Sequence, residues 1–470
     1  MSSSPQANGR LSVSTLFAYS LPGAPIAAMG LPLAVYLPPF YAEEVGLGAV
    51  AAGTVFMLTR FLDIFLDPVM GVLSDRTRTP WGRRRIWMLM SVPIMCVAAW
   101  LVFMPVAGSS FETAALSIFL LFVGWTMLTI THLAWGGELS PDYHERARVT
   151  ASREAAYLVG MITVLVLPII IQQRGGDKFE QIAAMGWFVI ITLPLGVLLA
   201  CLFVKEDDRP AEPHVPLYEG LKAIANNTPL RYVLIADLVA GISGGLVATL
   251  FLYVAIVGLG LGQQAYTLLL IYFGMGVLFI PPIVWLARKI GKHQTLILHC
   301  LYNAFFLPFF WFLPHGEFWP AAALFAVLGA NMAAGAFLFR AIMADVADHD
   351  HVETGQARQG VYFALLALTN KLGYSLAVGL ALYALAYLGV TMKGPNTEFG
   401  TAGLMLLYVI PAALINVFIG LLMLNFPLGE EQQKELRRIL EERGAAGAAI
   451  GARTGHDLEG HSAPAPAKGR

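Results

Sequence analysis

Three ionisable side chains stand in stretches of chain that otherwise hold almost nothing polar. Asp63 and Asp67 lie in the apolar run 48–74, and Lys371 lies in the run 359–388. A charge at the centre of a lipid bilayer costs about 2.5–3.5 kcal/mol on insertion scales. That cost is sustained only where a partner, a cation or a water-filled cavity offsets it. The i, i+4 spacing puts both carboxylates on one face of a helix, with Arg60 on nearly the same face. Two carboxylates so close repel each other unless a cation or a proton comes between them. This is the chemistry of reversible ion binding: either Na⁺ sits among oxygen ligands, or one acid takes up H⁺. An Arg60–Asp63 pair that only ties helices together is the plainer alternative. Lys371 is about ten residues into its run, too deep to reach an interface easily, so its ammonium needs an acid, a carbonyl or a polar solute beside it.

These side chains must be carried by membrane-spanning helices. The chain has 470 residues, of which 57% are hydrophobic and only 13% charged, where a soluble protein has roughly 25% charged residues. The mean hydropathy is +0.66. Its 46 glycines and 27 prolines suit membrane helices, which tolerate both. A net charge of −1 gives no reason to expect a nucleic-acid partner. Cys96, Cys201 and Cys300 all fall in apolar runs and fit small core residues better than a disulfide or a metal site. The first apolar run is too long for a cleavable leader and is expected to stay in the membrane.

Twelve apolar runs of spanning length are predicted at 13–41, 48–74, 86–106, 111–139, 150–171, 181–204, 230–257, 265–287, 294–313, 318–343, 359–388 and 400–426. Basic residues collect in alternate loops: Arg76, Arg78 and Arg83 to Arg85; Arg146 and Arg148; Lys205, Arg209 and Lys222; Arg288, Lys289 and Lys292. The positive-inside rule places those loops and both termini in the cytoplasm, in a cell inner (plasma) membrane. The polar stretch 205–229 divides the chain into lobes 1–204 and 230–427. Each lobe has a basic turn after its second span, Arg83-Arg84-Arg85 matching Arg288 to Lys292. Such weak internal symmetry is expected of a two-lobed secondary transporter. Residues 428–470 are expected to form a largely disordered cytoplasmic tail.

Gly71-x-x-x-Asp75-Arg76 followed by Gly82-Arg83-Arg84 resembles the loop signature of the major facilitator superfamily. A longer stretch, Arg60-x-x-Asp63-x-x-x-Asp67-Pro68-x-x-Gly71 running on to Trp81-Gly82-Arg83, resembles helix two of the glycoside–pentoside–hexuronide:cation symporters. Glu138-Leu139-Ser140-Pro141-Asp142 with Arg153 beyond it, and Asp345-Val346-Ala347-Asp348 with Asn370-Lys371-Leu372-Gly373, resemble two further segments of that family. The likeness extends over roughly 15–427. It implies an all-α membrane protein of the major facilitator fold, twelve helices in two six-helix lobes, and alternating-access symport of a sugar, glycoside or uronate with Na⁺ or H⁺. It implies no other cofactor, no enzymatic activity, and a monomer in the bilayer. The resemblance gives Asp63 and Asp67 the cation, as ligands if it is Na⁺, and places Lys371 beside cation and substrate and Arg153 on the substrate.

The chain departs from the melibiose-permease branch of that family at three places. Leu66 stands between the acids in place of an Asn. Thr129 takes the position of an acid on helix four, leaving Thr126 as a hydroxyl one turn earlier. Helix one, Pro22 to Gly30, has no acid to hold a galactoside. Trp135, His132 and Tyr362 are candidates to line a substrate cavity, with core packing the plainer alternative. Asp75, Arg76, Arg83, Glu138, Asp345 and Asp348 are expected to form ion-pair gates near the helix ends. The loop Asp345 to His351 is expected to hold a gate rather than a metal cage. A lysophospholipid or other amphipathic solute is the alternative substrate class, since relatives carrying such solutes also lack the helix-one acid. A non-transporting membrane receptor or sensor is the alternative outside transport.

Overall fold

A computed structural model describes residues 10–140, 142–206, 224, 227–355, 358–429 and 438. The expected linker 205–229 and tail 428–470 lie mostly outside these. The described residues form helices and turns without strands, as they must if the backbone satisfies its own hydrogen bonds in lipid. The spans are α1 Val13–Glu43, α2 Ala49–Arg76, α3 Arg85–Phe103, α4 Phe111–Glu138, α5 Tyr143–Gln173 and α6 Lys178–Phe203 in the first lobe. The second has α7 Thr228–Gly258, α8 Gly262–Leu278 with Ile280–Ile290, α9 Lys292–Phe312, α10 Phe318–Thr354, α11 Gln359–Leu388 and α12 Glu398–Leu424. Together they give the expected all-α fold of twelve spans, with the bent α8 counted as one.

Proline sets two of the irregularities. In α1 a π-helical turn at Pro32–Tyr36 separates Gly23–Leu31 from Leu37–Glu43. Proline has no N–H to donate and crowds the preceding turn, so the hydrogen-bond ladder shifts around it. In α8 the axis bends by 43° just before Pro281 and Pro282.

Two boundaries need correction. Helix α5 starts at Tyr143, not near 150, and its first two turns carry Arg146 and Arg148. The segment Asp345 to His351 is not a loop: α10 continues through it to Thr354 and stops at Gly355, whose φ of 71° makes a left-handed cap. Hydropathy marks where lipid contact ends, and both helices run on beyond that point.

Glycines set the closest crossings. A Cβ on Gly373 of α11 would stand 2.2 Å from the Leu238 carbonyl oxygen of α7, and one on Gly160 of α5 would stand 2.0 Å from that of Ala24 in α1. Small residues let such backbones touch. The same crossing is thus built twice, α1 with α5 and α7 with α11.

The lobes meet along α2 and α11, with α1 against α7 and α5 against α8. Their hydrogen bonds are polar and scattered. Ser375 Oγ donates to the Met57 carbonyl at 2.8 Å, Thr54 and Tyr383 share a 2.9 Å bond, and Gln172 Nε2 donates to the Gln263 carbonyl at 3.1 Å. Tyr253 donates to Glu43 at 3.2 Å, and Tyr36 stacks on Tyr266. These inter-lobe bonds, with those of Lys371 to Asp63 and Asp67 and of Lys393 to Glu44, lie at the level of Asp67 or nearer the face opposite the basic loops. The bundle is pinned shut on that opposite face.

Candidate functional site

Asp63 and Asp67 meet Lys371 across the lobe seam. Lys371 Nζ lies 2.7 Å from Asp63 Oδ2 and 2.7 Å from Asp67 Oδ2. Thr126 of α4 donates to the other oxygen of Asp63 at 2.6 Å. Asp63 is buried, while the side chains of Asp67 and Lys371 are 27% and 36% exposed. The ammonium therefore fills the position between the two acids and is partly open to solvent. Three of the four expected coupling residues come together here. Thr129 makes no hydrogen bond to them: its hydroxyl is buried without a partner. Arg60 does not pair with Asp63 either. Its guanidinium lies over the Tyr374 ring, 4.3 Å from the centroid, an arrangement favoured by the ring's negative face.

This set suits a monovalent cation. The carboxylates of Asp63 and Asp67 and the Thr126 hydroxyl are hard oxygen donors on rigid helices. The ammonium they now hold carries the same single charge as Na⁺ or H⁺, and a tethered cation contests the place of a free one.

The aromatic candidates are placed differently from expectation. Trp135 and His132 are fully buried against α1. The His132 ring stacks on Tyr19, its Nε2 is 2.8 Å from the Tyr19 carbonyl, and Trp135 packs edge-on to Tyr19. Tyr362 is fully buried near the start of α11, where its hydroxyl accepts from Asn227 Nδ2 at 3.2 Å. All three are packed in the interior with less than 2% exposure. Arg153 donates to Glu154 at 2.7 Å and lies over Tyr157, with its Nε buried and unbonded.

The charges expected at the gates fall into two related clusters. In the first lobe, Glu138 Oε1 accepts from Arg83 and Arg84 at 2.7 Å each. Arg84 also pairs with Asp75 and donates to Ser74 at 2.6 Å. Burial opposes the Arg84 charge, but Glu138 and Asp75 outweigh it and hold its proton more tightly than usual. In the second lobe, Lys292 at the start of α9 pairs with Asp345 of α10 at 2.6 Å. Asp348 accepts from Gln359 at 2.9 Å. Arg76 is exposed, apart from the Glu138 cluster. The described residues contain no group of three metal-ligating side chains.

Some participants were missed. Arg84, more than Arg83, is the hub of its cluster. Glu206 accepts from the backbone N–H groups of Arg83 and Arg84 at 2.7 and 2.6 Å, capping α3; nothing in the sequence links those positions. Asp237 of α7 is buried and bonded to Thr369 at 2.8 Å and Asn370 at 3.3 Å. The rule that singled out Asp63 applies to it equally.

On the face away from the basic loops, Glu44 bridges the lobes, 3.0 Å from Lys178 and 2.5 Å from Lys393. Burial disfavours its charge, but the bonds from Lys393 and Lys178 prevail and hold its carboxyl below the usual range. A lowered acid stabilises the closed form fully above its unperturbed value, about pH 4.3, and loses that contribution as pH falls through the lowered one. At pH 7, Glu44→Gln is expected to part the lobes on this face. Pulsed spin-label distances between Gln173→Cys and Gln264→Cys should gain a longer population. An unchanged distribution would show that Glu44 contributes nothing to closure.

Residues 18–430 match the family profile described as MFS/sugar transport protein. The chain is 24% identical over 418 residues to the glucuronide carrier protein homolog of Escherichia coli, covering 84% of this chain and 88% of that protein. It is 22% identical over 494 residues to the sodium-dependent lysophosphatidylcholine symporter 1-B of Danio rerio, covering 93% of this chain and 91% of that one. Among solved structures, the xylose transporter XylE of E. coli in an inward-open conformation superposes with a TM-score of 0.60 at 14% identity, covering 91% of this chain and 98% of that one. A match over nearly the whole membrane domain, with the residue motifs on α2, α4 and α11, makes this chain a member of the MFS/sugar transport family, among the glycoside–pentoside–hexuronide:cation symporters of the major facilitator superfamily.

Proposed function

We propose that the protein is a secondary active symporter of a sugar, glycoside or uronate, driven by a gradient of H⁺ or Na⁺, in the cell inner membrane with its basic loops and both termini in the cytoplasm. One observation carries this reading: an ammonium from one lobe is held by two carboxylates of the other. A cation or proton entering between Asp63 and Asp67 screens them from Lys371 and releases α11 from α2. The lobes then gain freedom to rock about the site. With the basic loops cytoplasmic, the conformation described is shut outward, and the acid pair faces the cytoplasm. The Glu138–Arg84 and Lys292–Asp345 clusters brace the two lobes on that side. By linkage, whatever the cation adds to substrate affinity, the substrate adds to cation affinity.

Uptake into proteoliposomes tests this. A transported glycoside should accumulate above its external concentration under an inward Na⁺ or H⁺ gradient and only equilibrate without one. Equilibration alone under both gradients would overturn coupling. The Danio rerio relative, which covers 93% of this chain, supports a second reading with an amphipathic substrate. Uptake of lysophosphatidylcholine with none of any glycoside would establish it.

A further inference from the structure

The second lobe, with Val35 of α1 at its edge, lines a partly open cavity of about 350 Å³ that the ion-binding cluster does not use. All six of its helices contribute, and most of the wall is apolar and aromatic. The polar groups are few and converge: Asp237 of α7, His299 and Asn303 of α9, Asn370 of α11 and Asn416 of α12. A cavity of a few hundred Å³ with an apolar wall and a few placed polar groups is the usual form of a small-molecule site.

These polar groups are incompletely satisfied among themselves. Asn303 reaches His299 at 3.4 Å and Asn416 at 3.5 Å, and Asn370 reaches Asp237 at 3.3 Å, all at the long end of the hydrogen-bond range, while Asn331 donates to Asn303 at 3.1 Å, Asn416 to the Ala412 carbonyl at 2.8 Å and Thr369 to Asp237 at 2.8 Å. His299 Nδ1 is buried and has no partner. The bonds among these groups across the cavity are long, and an unpaired buried nitrogen is costly unless something completes it.

The repeated helix crossing shows why the site lies in this lobe. Gly23 of α1 packs on the Arg153 carbonyl of α5, and Gly241 of α7 packs on the Asn370 carbonyl of α11. Each of those partners is followed four residues later by a tyrosine, Tyr157 or Tyr374. Asp237, four residues before Gly241, thus corresponds to Tyr19, four before Gly23. In the first lobe that position is plugged by Tyr19 with His132 and Trp135. In the second it carries a carboxylate on an open cavity.

We propose that this second-lobe cavity binds the ring of a neutral, hydroxyl-rich sugar, read by Asp237, Asn303 and Asn416. The proposal rests on the sugar-symport reading above and narrows it. The wall contains a carboxylate and neutral amides but no Lys or Arg. A uronate would bring its own carboxylate towards Asp237 with no Lys or Arg on the wall to receive it. Paired hydroxyls instead donate to Asp237 and exchange hydrogen bonds with the amides.

The test uses the full chain in proteoliposomes with two probes, 4-nitrophenyl β-D-xyloside and 4-nitrophenyl β-D-glucuronide. The xyloside should be transported, and the glucuronide should compete poorly. Asn303→Leu and Asn416→Leu should each raise KM for the xyloside by about tenfold or more, because a site built to hydrogen-bond hydroxyls depends strongly on those bonds. The thermal shift produced by the coupling cation should persist in both variants, which separates loss of the site from loss of folding. As a check free of those variants, the xyloside should slow N-ethylmaleimide labelling of Cys300, which lines the cavity, in a Cys96→Ser, Cys201→Ser background. Wild-type KM in folded variants, no protection of Cys300 during active transport, or a preference for the glucuronide would each overturn the placement. Transport of neither glycoside would overturn the sugar reading as well.

Discussion

Asp67→Asn abolishes uphill uptake while leaving downhill exchange of substrate in place. The wild-type cluster joins two carboxylates to one ammonium at 2.7 Å contacts, so it has one negative charge to offer an incoming ion. The Asn variant has none. At about 4 Å and an effective dielectric near 20, one unit charge is worth roughly 4 kcal/mol. Asp67 is 27% exposed, and solvent screening reduces this to about 1.5–3 kcal/mol. That is one to two decades of cation affinity, enough to disconnect the gradient. Accumulation ratios in proteoliposomes should fall to unity, while counterflow of preloaded substrate continues. Full accumulation by the variant would remove Asp67 from the coupling site.

Lys371→Ala acts in the opposite sense on the ion and in the same sense on transport. Without the ammonium the two acids face each other with only Thr126 to relieve them, so a free cation binds about tenfold more tightly or better. The ion is then released slowly, and the seam loses its ion pairs between α2 and α11. A larger cation-induced thermal shift should accompany a loss of net uptake of about tenfold or more. Unchanged transport and an unchanged shift would reduce Lys371 to an anchor.

Much of the architecture is legible in the sequence because lipid enforces a simple rule. A run of about 20 apolar residues spans the bilayer, so the number and order of spans follow from hydropathy. Helix ends do not, since α5 and α10 extend into water where hydropathy has nothing to register. The acid pair is visible for the same reason as the spans: a charge in lipid has to be explained. Asp237 meets that criterion too, and a scan of every apolar run for carboxylates finds it. Aromatic residues carry no such signal, since Trp135, His132 and Tyr362 are equally at home in a core or a cavity. Only the three-dimensional crossing of α1 with α5 shows that Tyr19 occupies the space Trp135 and His132 would have lined. The Glu206 cap on α3 and the Glu44–Lys393 bridge join positions far apart in sequence, and nothing local marks either.

The ammonium between Asp63 and Asp67 has a consequence for how the carrier senses membrane voltage. With both carboxylates ionised, the empty cluster has one net negative charge, and the cation-loaded cluster has none. An electric field therefore acts on the unloaded carrier and passes over the loaded one. A charge crossing the whole field is worth about 2.3 kcal/mol per 100 mV, and a site that switches its access from one face to the other senses part of it. An interior-negative potential would then drive the empty site to face outward, so that the electrical gradient resets the carrier while the chemical gradient loads it.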